Sequence, residues 1–266
     1  MNTSNFTRDE IRALDLAFVL DTTGSMGPLL QAAREHMTAL LSQLSSEASL
    51  RVGFVEYRDH PPQDKLLTRV HPFSSDLKKA QKVVEKFKAD GGGDGPEAVF
   101  DGVVEATKMP WRTHARRIAV LIGDAPPHGV GASGDTFRGG CPCGETPDSV
   151  SAKCEETRVM LYALGLLPGL ENHFGSLAAA TGGEFWESVS HHYGRRNSTK
   201  NGAVAPMERL KAILELEAAH LEFDDRVLQQ AKANPDALVD ELATTLECGR
   251  STIAASLARL GRRDLI

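Results

Sequence analysis

Positive charge is in short supply in this chain of 266 residues: 30 Lys and Arg stand against 36 Asp and Glu, a formal net charge of −6. That balance argues against wholesale binding to nucleic acid or to an anionic membrane surface. No stretch approaches the roughly 18 unbroken apolar residues of a membrane-spanning helix. The first fourteen residues are polar and acidic, where a secretory leader would be basic and then apolar. The expected location is therefore the cytoplasm, with no membrane contact. The four cysteines, Cys141, Cys143, Cys154 and Cys248, are too few for a disulfide framework, and the clustering of three of them points to thiols or a metal. A phosphate loop of the Gly-x-x-x-x-Gly-Lys-Ser/Thr kind is missing, and the glycine-rich stretch 91–95 has no lysine. What is present is 41% apolar residues, enough for one large domain and a small appendage.

Apolar runs alternate with helical patterns, the arrangement of a mostly parallel sheet wrapped by helices. Strands are expected at 14–21, 51–57, 67–72, 118–122, 159–166 and 184–188. Between the first two, residues 28–44 set Leu29, Ala33, Met37, Leu40, Leu41 and Leu44 on one helical stripe. Residues 77–87 and 97–107 repeat that period, and 171–180 is a shorter helix stopped by Gly182-Gly183. The link between the second and third strands is too short for a crossover helix, so that pair is expected to be antiparallel at a sheet edge. The fold class is accordingly α/β: an open, mostly parallel sheet with helices on both faces over residues 13–221. A small all-α domain is expected at 222–266. Residues 126–150 read as a loop insertion and 190–205 as a linker-like loop.

The chemistry concentrates where the first apolar run ends in Asp21-Thr22-Thr23-Gly24-Ser25-Met26. Asp21, Thr23 and Ser25 stand at alternate positions where a strand turns into a helix, and a hard cation such as Mg²⁺ takes such oxygen ligands. They supply half a coordination shell. Two later loops offer the rest: Gly91-Gly92-Gly93-Asp94-Gly95-Pro96-Glu97, and Gly123-Asp124-Ala125-Pro126-Pro127-His128-Gly129. On these residues the chain resembles a von Willebrand factor A domain, whose metal-ion-dependent adhesion site uses Asp-x-Ser/Thr-x-Ser, a Thr-bearing second loop and a third-loop Asp. The resemblance covers about residues 13–190. It implies a Rossmann-like sheet, Mg²⁺ (or Mn²⁺ or Ca²⁺) held by Asp21, Thr23, Ser25 and Asp124, and a protein partner that offers an acidic side chain to the metal. The second loop departs from the pattern with Asp-Gly-Pro-Glu, a version similar to that of intracellular and bacterial A domains, including those attached to alpha-kinases. Asp94 is the expected replacement for the Thr, by proximity, and a third carboxylate there would make the metal less eager for an acidic ligand. Arg58 and Asp59 read as an exposed ion pair at a strand end.

Hydrolysis at one metal ion needs an activated water and a base, and His128 is the obvious base near Asp124. The insertion carries Cys141-Pro142-Cys143, with His128 before and Cys154 after. Thiolate and imidazole suit Zn²⁺, so His128, Cys141, Cys143 and Cys154 are candidate zinc ligands that would staple a long loop; the alternative is reduced free thiols. In the tail, helices are expected at 206–221, 224–233, 236–247 and 250–260. The string from Leu242 through Arg250-Ser251-Thr252-Ile253 to Asp264-Leu265-Ile266 resembles the helix-turn-helix of winged-helix domains, without a wing. Arg250, Ser251, Thr252, Arg259, Arg262 and Arg263 supply the cations and polar tips of a recognition helix. From Met207 onward, however, eleven acids outnumber eight cations, a poor balance for a DNA binder. The function expected first is a non-enzymatic, divalent-metal-dependent protein-interaction or regulatory module. A metal-responsive DNA-binding transcriptional regulator comes second, and a metal-dependent hydrolase third.

Overall fold

Nine consecutive buried residues make up β1 (Ala13–Asp21), because a strand covered on both faces reads as an unbroken apolar run. The computed structural model describes residues 6–187 and 204–266, the side chains of 38–40, 43–44, 46–47 and 204–205 excepted. A short α1 (Arg8–Ile11), closed by a reciprocal Thr7–Glu10 cap, leads into β1. β2 (Ser49–Tyr57) and β4 (Arg116–Gly123) flank β1 in parallel. β5 (Met160–Gly165) and β6 (Phe185–Glu187) extend one side in parallel, and β3 (Thr68–Ser74) closes the other edge antiparallel. The order is thus β3-β2-β1-β4-β5-β6. Each expected strand is present within two residues of its expected bounds, Ser188 lying outside the described residues.

Alternate side chains of a strand leave by opposite faces, and each face has its own core. Leu14, Leu16, Phe18 and Leu20 meet α2 (Gly27–Glu47), α3 (Leu77–Lys86) and the leading half of α7 (Val204–Ala233). Ala17 and Val19 meet α4 (Val99–Thr107), α5 (Pro147–Glu156) and α6 (Ser176–Ala180). Leu29, Ala33, Met37 and Leu41 of the expected stripe are buried; the side chains of Leu40 and Leu44 lie outside the described residues. α5 occupies the end of the expected insertion, started by Pro147 and by a reciprocal Thr146–Ser149 cap. The helix expected from 97 begins at Val99, since Glu97 N donates to Pro126 O at 2.9 Å. The helix expected over 171–180 opens as a π turn at Glu171–Gly175.

The boundary expected between 221 and 222 falls inside α7, one helix of 30 residues. Leu210, Ile213, Leu214, Glu217, Ala218, Leu221, Asp224, Val227 and Leu228 are all buried, an unbroken spacing of three and four that carries one stripe through the boundary. Its trailing half joins Ile11, α8 (Val239–Thr245) and α9 (Arg250–Arg262) in a third core. Of the expected linker, residues 190–203 lie outside the described residues and 204–205 already belong to α7.

Candidate metal centre

β1 and β4 run side by side where the strand order reverses, the place at which an open α/β sheet forms its ligand crevice. Asp21 ends β1, and Asp124 follows β4 directly. Asp21 Oδ1 accepts the Thr23 amide at 2.8 Å and the Thr23 hydroxyl at 2.6 Å, and Ser25 Oγ lies 3.3 Å from Thr23 Oγ1. The turn Gly24–Met26 aligns these oxygens, anchored by Gly24 N donating to Gly91 O at 3.2 Å. Gly92 holds φ +80, and a Cβ there would sit 2.9 Å from Glu97 Oε1 and 3.2 Å from Thr23 Cβ. Only glycine lets the second loop close over the first.

The acids at this rim oppose one another. Burial, and then the neighbouring Asp124 charge, pushes Asp21 up to about 7 against the hydrogen bonds from Thr23. Burial likewise raises Asp124, with hydrogen bonding from Ser25 working the other way. Burial, then Asp21, Asp59, Asp124 and Asp94, drives Glu97 up to about 10. Beneath them lies the buried Tyr57 phenol, raised by burial and by Asp21, Asp124 and Glu97. Gly123 and Gly102 make room for it: a Cβ would come within 2.3 Å of the Tyr57 hydroxyl at the first and 2.7 Å of its ring at the second. Asp21 Oδ2 and Glu97 Oε2 are buried without a hydrogen-bond partner. Carboxylates and hydroxyls alone, several of them repelling one another, form a donor set that fits a hard divalent cation.

Asp94, the expected second-loop ligand, is engaged from the insertion. Its Oδ2 accepts the Thr136 amide and hydroxyl at 2.8 and 2.5 Å, and it groups with Asp59 and His128, their ligand atoms within 4.8 Å of one another. Glu97, three residues on, is the second-loop acid that the charges of Asp21 and Asp124 raise. Asp59 is fully buried, which corrects the exposed Arg58–Asp59 pair. Its Oδ1 accepts the His60 amide at 2.6 Å and lies 2.7 Å from His128 Nε2, while Arg58 faces Asp64 and Asp90. His128 Nδ1 is 3.0 Å from Asp135. Burial disfavours a charged imidazole there, yet Asp59 and Asp135 outweigh it and raise His128 above its ordinary pKa. An imidazole clamped at both nitrogens is no free general base.

The four residues nominated for zinc do not meet. His128 is occupied as described, and Cys154 lies fully buried in the apolar core under α5, its thiol pushed up to about 12 by burial. Cys141 and Cys143 come together with His60 and Asp101 instead. Neither of these carried a signal in the sequence, since they stand on a loop and a helix far from the cysteines. Burial and Asp101 lift the Cys141 thiol to about 12, and Asp101 and burial lift Cys143 to about 11.

The recognition-helix residues divide. Arg259 holds the buried Asp224 at 2.6 Å, and Ser256 donates to the same carboxylate at 2.7 Å. Arg263 is buried; it donates to His114 O at 2.8 Å and to the Ile11 and Glu10 carbonyls. Arg250 pairs with Asp240 at 2.7 Å on the surface, where Ser251, Thr252 and Arg262 are also exposed. Two of the four cations a DNA backbone would need thus face inward.

The family of the von Willebrand factor type A domain matches residues 15–192. The chain belongs to the von Willebrand factor type A family. This A domain is 32% identical over 136 residues to alpha-protein kinase vwkA of Dictyostelium discoideum, a stretch that is 49% of this chain and 22% of the kinase. It is 23% identical over 143 residues to integrin beta-6 of Mus musculus, 43% of this chain and 18% of the integrin. The chain therefore spans less than a quarter of either relative's length. The pilus adhesin SpaC of Lactobacillus rhamnosus GG, in its open conformation, is similar in fold, with a TM-score of 0.53 at 12% identity over 79% of this chain and 30% of the adhesin. No helix among the described residues is long and apolar enough to cross a membrane.

Proposed function

We propose that this A domain is a non-enzymatic interaction module that holds Mg²⁺ with Asp21, Thr23, Ser25, Asp124 and Glu97 and captures a protein partner through a partner carboxylate. The observation that carries it is the pair of buried carboxylate oxygens without partners, Asp21 Oδ2 and Glu97 Oε2, within an all-oxygen donor set at the sheet's crevice. A bound Mg²⁺ would supply the missing positive charge and a coordination position for the incoming oxygen. Around that position Thr23 and Ser25 orient Asp21, and Tyr57 closes the floor against water. Glu97 takes the place expected of Asp94. Three carboxylates exceed the charge of a divalent ion, so each contact with an acidic partner is weak, which suits reversible or multivalent capture. The inward-facing Arg259 and Arg263 disfavour the DNA-binding alternative, and the clamped His128 disfavours hydrolysis.

Calorimetric titration with Mg²⁺ tests the assignment. Wild type is expected to bind it saturably and, in its presence, to retain carboxylate-bearing peptides that chelator releases. Asp124→Ala should lose both while remaining folded. An Asp124→Ala protein that takes up Mg²⁺ as wild type does would overturn the assignment.

A further inference from the structure

Cys141 and Cys143 converge with two side chains from outside their own loop. His60 stands on the link that follows β2, and Asp101 lies in the first turn of α4. His60 Nε2 is 3.0 Å from Asp101 Oδ2. Cys141 Sγ is 3.1 Å from that carboxylate oxygen and 3.4 Å from that imidazole nitrogen. With Cys143 included, all four ligand atoms lie within 4.8 Å of one another. Ligands held at about 2.0–2.3 Å around a tetrahedral ion stand about 3.3–3.8 Å apart, so these atoms mark the corners of such a site, slightly drawn in on two edges. His60, Asp101 and Cys141 are buried, and Cys143 is exposed, which gives an ion a way in.

We propose that His60, Asp101, Cys141 and Cys143 form a structural Zn²⁺ site that ties the insertion between β4 and α5 to the rest of the domain. Two thiolates and an imidazole select a borderline ion such as Zn²⁺ over Mg²⁺, and four protein ligands leave no open position for chemistry. Binding releases the two thiol protons to solvent. About twenty residues of the insertion carry no helix or strand, and a loop of that length in a compact domain calls for such a constraint. The site stands apart from the all-oxygen set around Asp21 and does not depend on its assignment.

The test uses the full chain without a polyhistidine tag, kept reduced. Elemental analysis should find one zinc per chain, not displaced by excess Mg²⁺. Replacement by Co²⁺ should bring thiolate-to-cobalt charge-transfer absorption and the strong visible bands of a tetrahedral ion. Because Cys143 is exposed, Cys143→Ser spares the core; it should remove about half of the charge-transfer intensity and weaken Zn²⁺ binding roughly a hundredfold, one ligand's share of the total. Asp101→Asn should weaken Zn²⁺ comparably with the charge-transfer bands kept, and Cys248→Ser should change neither reading. A reduced protein that holds no zinc and takes up no Co²⁺, a resident iron or copper ion, or a Cys143→Ser protein that titrates like wild type would overturn the proposal.

Discussion

Glu97 feels the charge of four other acids, Asp21, Asp59, Asp124 and Asp94, and this mutual opposition has a thermodynamic signature. Asp21 rises from 3.8 to about 7 and Glu97 from 4.5 to about 10, so the folded chain keeps protons that the unfolded chain has already released. Stability then falls as pH rises through that interval. His128 acts in the same direction, since a raised histidine stabilises at low pH and loses that contribution as it deprotonates. With chelator present, the thermal midpoint is expected to be higher near pH 5 than near pH 8, and Mg²⁺ should narrow the gap. A chelated midpoint that is flat or rises over that range contradicts the picture. Asp21, Thr23 and Ser25 were legible in the sequence because their spacing alone sets three oxygens on one strand-to-helix turn. The surroundings of Asp94 and Glu97 were not, since they depend on a loop bent by Gly91 and Gly92 at positive φ and on Thr136, which donates to Asp94 from a loop 42 residues away.

Among the elements, α7 is held to the sheet by an ion pair rather than by apolar contact alone. Glu217 is fully buried, with Arg116 Nε at 2.7 Å and Arg116 Nη2 at 3.1 Å, and the Tyr162 hydroxyl donates to it. Burial would raise its pKa, but the Arg116 charge outweighs burial and holds it far below the usual carboxylate range. Glu217→Ala leaves the Arg116 charge buried and unpaired, and urea unfolding should register a loss of about 3–5 kcal/mol. A loss under about 1 kcal/mol would mean that water reaches Arg116 in the variant and that the pair does not anchor the helix. The helical period of α7 was visible on both sides of residue 222, whereas its continuity was obscured because Glu217 and Asp224 occupy core positions as charged residues. Their partners, Arg116 and Arg259, lie 101 residues before and 35 residues after them.

At the scale of the whole molecule, the alternation of apolar runs and helical stripes sufficed for the sheet and its antiparallel edge. The docking of the tail did not follow from the sequence, because Arg259 and Arg263 read as surface cations and their partners are a carboxylate on α7 and backbone carbonyls 149 and 252 residues away. Fluorescence anisotropy with a labelled duplex at low salt should accordingly show no saturable binding. Arg259→Ala should lower the unfolding midpoint instead of any DNA affinity, and tight, salt-sensitive duplex binding lost in Arg250→Ala would reverse this conclusion.

The contact of Arg263 with Glu10, Ile11 and His114 brings the two described ends of the chain to the amino ends of the strands. The acids stand at the carboxyl ends, and β1, nine residues long, separates the two levels by roughly 30 Å at 3.3 Å per residue. Any polypeptide tethered before or after this domain departs from the pole opposite those acids, so a neighbour on either side can be large and the acidic rim still faces outward, like a plug wired from behind.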